Sequence, residues 1–133
     1  MNYSNPYYQF TDNQINKIKQ IIESKQKTHC DSTQTFYTVW LQDNSGTEFR
    51  FCALGNHLII SRVAFQTQQI GTLTAILETL IPICKNQQIT HIIMQCVSSQ
   101  SMVNFCNKYG FKPDPYATMQ INNLLIGDYI FTI

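Results

Sequence analysis

Arg62-Val63-Ala64-Phe65-Gln66-Thr67-Gln68-Gln69-Ile70-Gly71-Thr72 is the stretch on which the fold turns. It reads as the end of a strand, a short polar loop and the opening of a helix. Upstream, His57 to Phe65 has the β-branched and apolar character of a strand. Downstream, from Gly71 to about Lys85, apolar residues recur at helical spacing through Leu73, Ile76, Leu77, Leu80 and Ile81. Pro82 interrupts that pattern, and since an interior proline costs about 3 kcal/mol a kink is expected in the last turn. Thr90 to Val97 is then a mostly apolar strand, as a buried parallel neighbour would be. A helix that joins two strands in this way makes them parallel by crossover. The free N–H groups at the opening end of the helix, with its dipole behind them, suit a phosphate group. Gly71 would let a pyrophosphate approach the backbone with no Cβ in the way. The same pattern also serves a surface loop whose glycine merely opens a helix.

Working outward, Asp12 to Lys27 reads as a first helix, with Asp12 as its cap and Ile15, Ile18, Ile21 and Ile22 on one stripe. Tyr7 to Phe10 before it is long enough for a very short strand. Thr35 to Gln42 reads as a strand and Asp43-Asn44-Ser45-Gly46 as a turn; Glu48 to Leu54 alternates charged and apolar residues, which leaves one face wet. Gly55-Asn56 is a second tight turn, so these segments and His57 to Phe65 form a three-stranded antiparallel meander. Toward the C-terminus, Ser98 or Ser99 caps a helix running to Tyr109, with Gly110 as its left-handed stop. Two strands follow, near Ala117 to Ile121 and Asp128 to Thr132. The expected class is α/β, or α+β by stricter naming, with a mixed sheet in one domain over residues 1–133.

Composition limits the functions available. Apolar residues make up 44% of the 133 and charged residues 13%, as in a folded globule. Nine basic and eight acidic side chains nearly cancel, so there is no basic field to hold a nucleic-acid backbone. No apolar stretch is long enough to cross a bilayer, and no secretory signal is visible, so the expected place is a reducing cytoplasm. The five cysteines, Cys30, Cys52, Cys84, Cys96 and Cys106, are odd in number and lack short pairings, which argues against a disulfide framework. His29 and Cys30 are adjacent, without the spacing of a tetrahedral zinc site.

Together with its surroundings, the stretch around Gly71 resembles the coenzyme A motif of GNAT acetyltransferases, Arg/Gln-x-x-Gly-x-Gly/Ala. Gln66-Thr67-Gln68-Gln69-Ile70-Gly71 matches at its first and last positions, with Gln69 in place of the first glycine and Thr72 following. Phe105-Cys106-Asn107-Lys108-Tyr109-Gly110-Phe111 is similar to the family's Phe-Tyr-x-Lys-x-Gly-Phe signature. Ser99-x-x-Met102-x-x-Phe105 follows the spacing of its Asn-x-x-Ala-x-x-Phe, and Gly127-Asp128-Tyr129-Ile130-Phe131 resembles its last strand. The likeness runs along nearly the whole chain in order. It implies a mostly antiparallel mixed sheet whose central parallel strands splay apart, with flanking helices, and acetyl-CoA bound in the splay. Backbone groups near Val63 would bond the pantetheine amides, and the loop with Gln66, Gln68, Gln69, Ile70, Gly71 and Thr72 would hold the pyrophosphate. Ser99, Met102 and Phe105 would border the thioester.

The departures bear on chemistry. The tyrosine that often protonates the departing thiolate in this family is replaced by Cys106. A thiol, with a reference pKa of about 8.5, is acidic enough for that role; the alternative is a cysteine that packs inside the helix. Tyr109 falls at the signature's packing position before the glycine. Glu48 and His57 are the titratable candidates for a general base on the middle strands, or else solvated strand residues. Only Thr28 to Gln34 stands where the family has a second helix, so that lid is short or missing, which suits a peptide or protein amine or a partner that completes the site; the expected substrate is a small-molecule or peptide amine. The expected activity is acetyl transfer from acetyl-CoA to a primary amine without a metal; the alternative is a GNAT-fold binding or regulatory module that has lost catalysis. Homodimers are common in the family, and the C-terminal edge strands offer a place for one.

Overall fold

The computed structural model describes residues 6–68 and 70–133. In chain order the elements are β1 (Tyr7–Tyr8), α1 (Asp12–Gln26), β2 (Asp31–Thr35), β3 (Thr38–Gln42), β4 (Glu48–Leu54) and β5 (His57–Ala64). There follow α2 (Thr72–Asn86), β6 (His91–Val97), α3 (Gln100–Tyr109), β7 (Lys112–Ile121) and β8 (Leu124–Thr132). The strands lie in the order β2-β3-β4-β5-β6-β8-β7, with β1 pairing on β4. Neighbours are antiparallel except β5 and β6, which α2 joins in parallel as the crossover requires.

Two periodicities meet in the core. Along β3, β4 and the first half of β5 alternate residues are fully buried: Val39 and Leu41, Phe49, Phe51 and Ala53, Leu58 and Ile60. These form one cluster with Ile18 and Ile22 of α1 and Ile76, Leu77 and Leu80 of α2, which recur at helical spacing. Burying each such side chain contributes about 1.5–3 kcal/mol, which holds the two helices against the sheet.

Local chemistry sets the helix ends. Thr11, rather than Asp12, caps α1: its Oγ1 accepts the Gln14 N–H at 3.1 Å, and Gln14 Oε1 accepts the Thr11 N–H at 2.9 Å. This reciprocal box satisfies two donors, while Asp12 in the first turn meets the helix dipole. Ser99 caps α3 by accepting the Met102 N–H at 3.2 Å, and Gly110 ends it at φ 111°. α2 continues past Pro82 to Asn86, so the proline does not stop the helix.

The N-terminal half of the sheet differs from expectation. In place of the short or missing lid expected at residues 28–34, the chain forms a further strand, β2 (Asp31–Thr35), and the meander has four strands. Phe36 and Tyr37, at φ 50° and 67°, make the two-residue turn between β2 and β3. Such turns need positive φ at both positions and are usually marked by Asn or Gly, so this one carried no visible signal. The C-terminal strands are also longer than expected, joined by Asn122-Asn123 at φ 50° and 64°. Among the described residues, no helix is long and apolar enough to cross a membrane.

Candidate active site

The site begins where two strands stop pairing. β5 and β6 are in register from His57↔His91 to Ile60↔Met94 and no further. β5 then continues along β4, with Val63 opposite Phe49 and Ala64 opposite Glu48. β6 continues along β8, with Val97 opposite Gly127. Each strand bends at a bulge. In β5 the extra residue is Ser61, since Arg62 opposes Arg50 and Ile60 opposes Phe51. In β6 the register slips between Met94 and Val97; there Cys96 takes φ 55° and its N–H donates to Asp128 Oδ1 at 3.0 Å. Extra residues of this kind kink a strand and increase its twist, and here they carry the two strands apart.

A cleft of about 840 Å³ lies at the parting, within the range of about 300–1,000 Å³ that suits a small ligand or cofactor. Val63 and Phe65 come from β5 and its end, Thr67, Gln68 and Ile70 from the loop, and Gly71 to Thr74 from the opening of α2. The facing wall is α3, through Ser99, Ser101, Met102, Asn104, Phe105, Lys108 and Tyr109. Gly71 is the N-cap of α2 at φ 81° and offers no side chain to the first turn. A Cβ there would meet nothing within 4 Å, so backbone conformation rather than crowding requires glycine. Among the described residues no side chain caps the N–H groups that a serine or aspartate would occupy, and the helix dipole adds positive potential there.

Of the residues singled out in the sequence, Val63, Gln68, Ile70, Gly71, Thr72, Ser99, Met102 and Phe105 border this cleft. Gln66 does not: its Nε2 donates to the Ser45 carbonyl, and its side chain lies against Gly46. Gln69 lies outside the described residues. Cys106 is fully buried in the core, and burial pushes its thiol pKa up to about 12. Neighbouring helix residues point about 100° apart, and it is Phe105 that takes the cleft side. Cys106 is therefore poorly placed to give a proton. Glu48 stands near the parting, but its Oε1 is 2.7 Å from Arg62 Nε, an ion pair that occupies the carboxylate. His57 lies at the other end of β5, its ring 5.5 Å from that of His91. At about 3.3 Å per residue, it is roughly 20 Å from the open end.

Tyr109 is the residue that sequence reasoning passed over. Its ring stacks on Phe105 with centroids 5.5 Å apart and meets Phe131 edge-on at 5.4 Å. It thus packs against the sheet while bordering the cleft. Burial, and then the negative charge of Glu78, raise its phenol pKa and hold it protonated. The available signal was the α3 stripe itself: Ser101, Phe105 and Tyr109, with Asn104 and Lys108, recur at spacings of three and four.

This architecture, a mixed sheet parting beside an uncapped helix, is the fold of the GNAT acetyltransferases. The chain is similar to Ard1 from Thermoplasma volcanium, with a TM-score of 0.53 and 11% identity over 96% of each chain. It is also similar to Arabidopsis thaliana Naa50 in complex with the bisubstrate analogue CoA-Ac-MVNAL, with a TM-score of 0.52, 14% identity, and coverage of 96% of this chain and 97% of that one. The chain spans 57% and 60% of two longer matches, one of them a probable GNAT-family acetyltransferase from Chromobacterium violaceum (TM-score 0.46, 11% identity over 72% of this chain). At these identities the likeness establishes the fold alone. No protein-family model matches the chain, and no curated protein sequence matches it significantly.

Proposed function

We propose that this protein is an acetyl-CoA-dependent N-acetyltransferase whose acceptor is a primary amine of a peptide or small molecule. The observation that carries this reading is the coincidence of the β5–β6 parting with the bare N-terminus of α2 in one cleft. The residues present fit the cofactor. Thr72 to Thr74 offer first-turn N–H groups to a pyrophosphate. β5 beyond Ile60 has no strand partner on its β6 side among the described residues, which leaves backbone groups near Val63 for the pantetheine amides. Met102 and Phe105 give the thioester end an apolar wall. When bound, acetyl-CoA would supply an activated acetyl thioester open to direct attack by an amine.

Within that frame the chain's own groups have definite tasks. Backbone N–H groups of β5 near Val63, which lack a β6 partner, would be the chain's donors for a thioester carbonyl oxygen that gains negative charge. Tyr109, which borders the cleft, would be the chain's proton donor to a departing thiolate, the task that the family resemblance implied for Cys106. The phenol is protonated near neutral pH, and burial, which raises its pKa, makes it a weaker acid than an exposed tyrosine. The amine loses its proton to water, since Glu48 is held by Arg62 and His57 is remote.

The occupied Glu48 and the buried Cys106 favour a second reading, a binding module that holds coenzyme A without turnover. Two measurements separate them. Acetyl-CoA raises the melting temperature under both readings, because a ligand that binds only the folded state stabilises it. Release of free thiol with a panel of amines occurs under the first alone. No thermal shift at millimolar acetyl-CoA would remove both.

A further inference from the structure

Gln26 ends α1 and is only 5% exposed, an unusual setting for a side-chain amide. Its Oε1 accepts the Thr67 N–H at 2.8 Å, and its Nε2 donates to the Thr67 carbonyl at 2.8 Å. The second Nε2 proton goes to Thr72 Oγ1 at 2.9 Å. The amide thus pairs with one residue's backbone as a neighbouring strand would, and its remaining donor reaches across the loop. Thr67 and Thr72 both border the cleft, at either end of the segment that opens α2, whereas Gln26 does not touch the cleft. On the other side of the same loop, Gln66 is tied to the Ser45 carbonyl.

The geometry points to Gln26 as the positioning residue of the anion-binding loop. From a different helix, and without meeting the ligand, it fixes the span between Thr67 and Thr72. That span sets the direction in which the first-turn N–H groups of α2 face. The described residues of the loop lie outside the sheet, so no strand ladder holds them; the buried amide takes that place. A shorter or apolar side chain would remove both partners of the Thr67 backbone and leave the buried Thr72 hydroxyl without its donor, so the tie between the two ends of the loop would be lost. This inference rests on the cleft being the acetyl-CoA site.

Gln26→Leu preserves bulk and removes all three bonds. Calorimetric titration with coenzyme A is expected to give a Kd at least about tenfold weaker than for the unaltered protein. The KM for acetyl-CoA should rise with it, while kcat at saturation and the KM for the amine stay within about twofold, a split that general loss of stability would not produce. Amide hydrogen exchange at Thr67 should accelerate in the same variant. A folded Gln26→Leu protein with unchanged Kd and unchanged exchange at Thr67 would overturn the inference. If that variant does not fold, Gln26→Asn, which keeps the amide but falls a methylene short, is read in the same way. Should the unaltered protein bind no coenzyme A, the reading of the cleft fails, and exchange at Thr67 still decides whether Gln26 holds the loop.

Discussion

Residues 57–60 and 61–64 are two halves of one strand, yet only the first half has a strand on both sides. In the closed half, Leu58 and Ile60 are fully buried and the backbone ladders to β4 and β6 are both made. In the open half one ladder is missing, Val63 is only partly buried, and its surroundings include a cleft. Unpaired backbone inside a protein is costly unless water or a ligand satisfies it. The chain therefore concentrates stability in one half of β5 and leaves hydrogen-bonding capacity unspent in the other. The bulge at Ser61 is the border between them.

Ile60→Ala and Val63→Ala put this contrast to its strongest test. Ile60→Ala should lose about 2–5 kcal/mol in urea unfolding, because it opens a cavity in a closed core. Val63→Ala should lose about 1 kcal/mol, because its side chain is already part-exposed. Equal losses at the two positions would erase the distinction between the halves. Next in size is the wall facing the open half. Tyr109→Phe is expected to lower kcat by about 10²-fold with the Kd for coenzyme A little changed, as for loss of a proton donor. Cys106→Ala should leave kcat unaltered and show only as lost stability; a collapse of kcat there would return the acid to Cys106.

Gly71→Ala sharpens the picture at the helix end. Forcing a Cβ onto a backbone at φ 81° costs about 1 kcal/mol. Any readjustment turns the first-turn N–H groups, so coenzyme A should bind several-fold more weakly with a small fall in melting temperature. The smallest expected effect belongs to Asp43, in the turn that holds Ser45 for Gln66. Burial raises its carboxyl pKa, but hydrogen bonds from the Ser45 and Thr47 N–H groups and from the Thr28 hydroxyl outweigh it and bring the pKa down to about 2. The folded state thus binds this proton less readily than the unfolded chain, whose value is near 3.8. The stabilisation is complete above about pH 4 and lost as pH falls toward 2. Urea midpoints measured across that window should flatten in Asp43→Asn.

Element order and the parallel crossover were legible because they rest on period and on turn residues with strong backbone preferences. Gly71 and Gly110 stand at positive φ at the ends where their sequence context put them. The cleft wall was legible through Ser99, Met102 and Phe105. Three features were not. β2 was hidden because Phe36 and Tyr37 adopt positive φ without being Asn or Gly. Cys106 and Phe105 are adjacent and both apolar, so no periodicity says which one faces the cleft. Glu48 and His57 share a sheet region in sequence, but their distance from the parting depends on strand direction and on where pairing ends. The clamp from Gln26 was invisible for a related reason: its partner loop lies about forty residues away and only the tertiary fold brings them together.

The bulge in β6 has a practical side. Burial pushes the thiols of Cys84 and Cys106 up to about 12 and, with nearby carboxylates, that of Cys30 to about 11; Cys52 is raised as well. Cys96 alone is exposed, at the place where β6 leaves its neighbour. A maleimide fluorophore at neutral pH should therefore attach there selectively, since thiolate and access both decide reactivity. The unaltered polypeptide carries its own attachment point for a fluorophore at the β6 bulge.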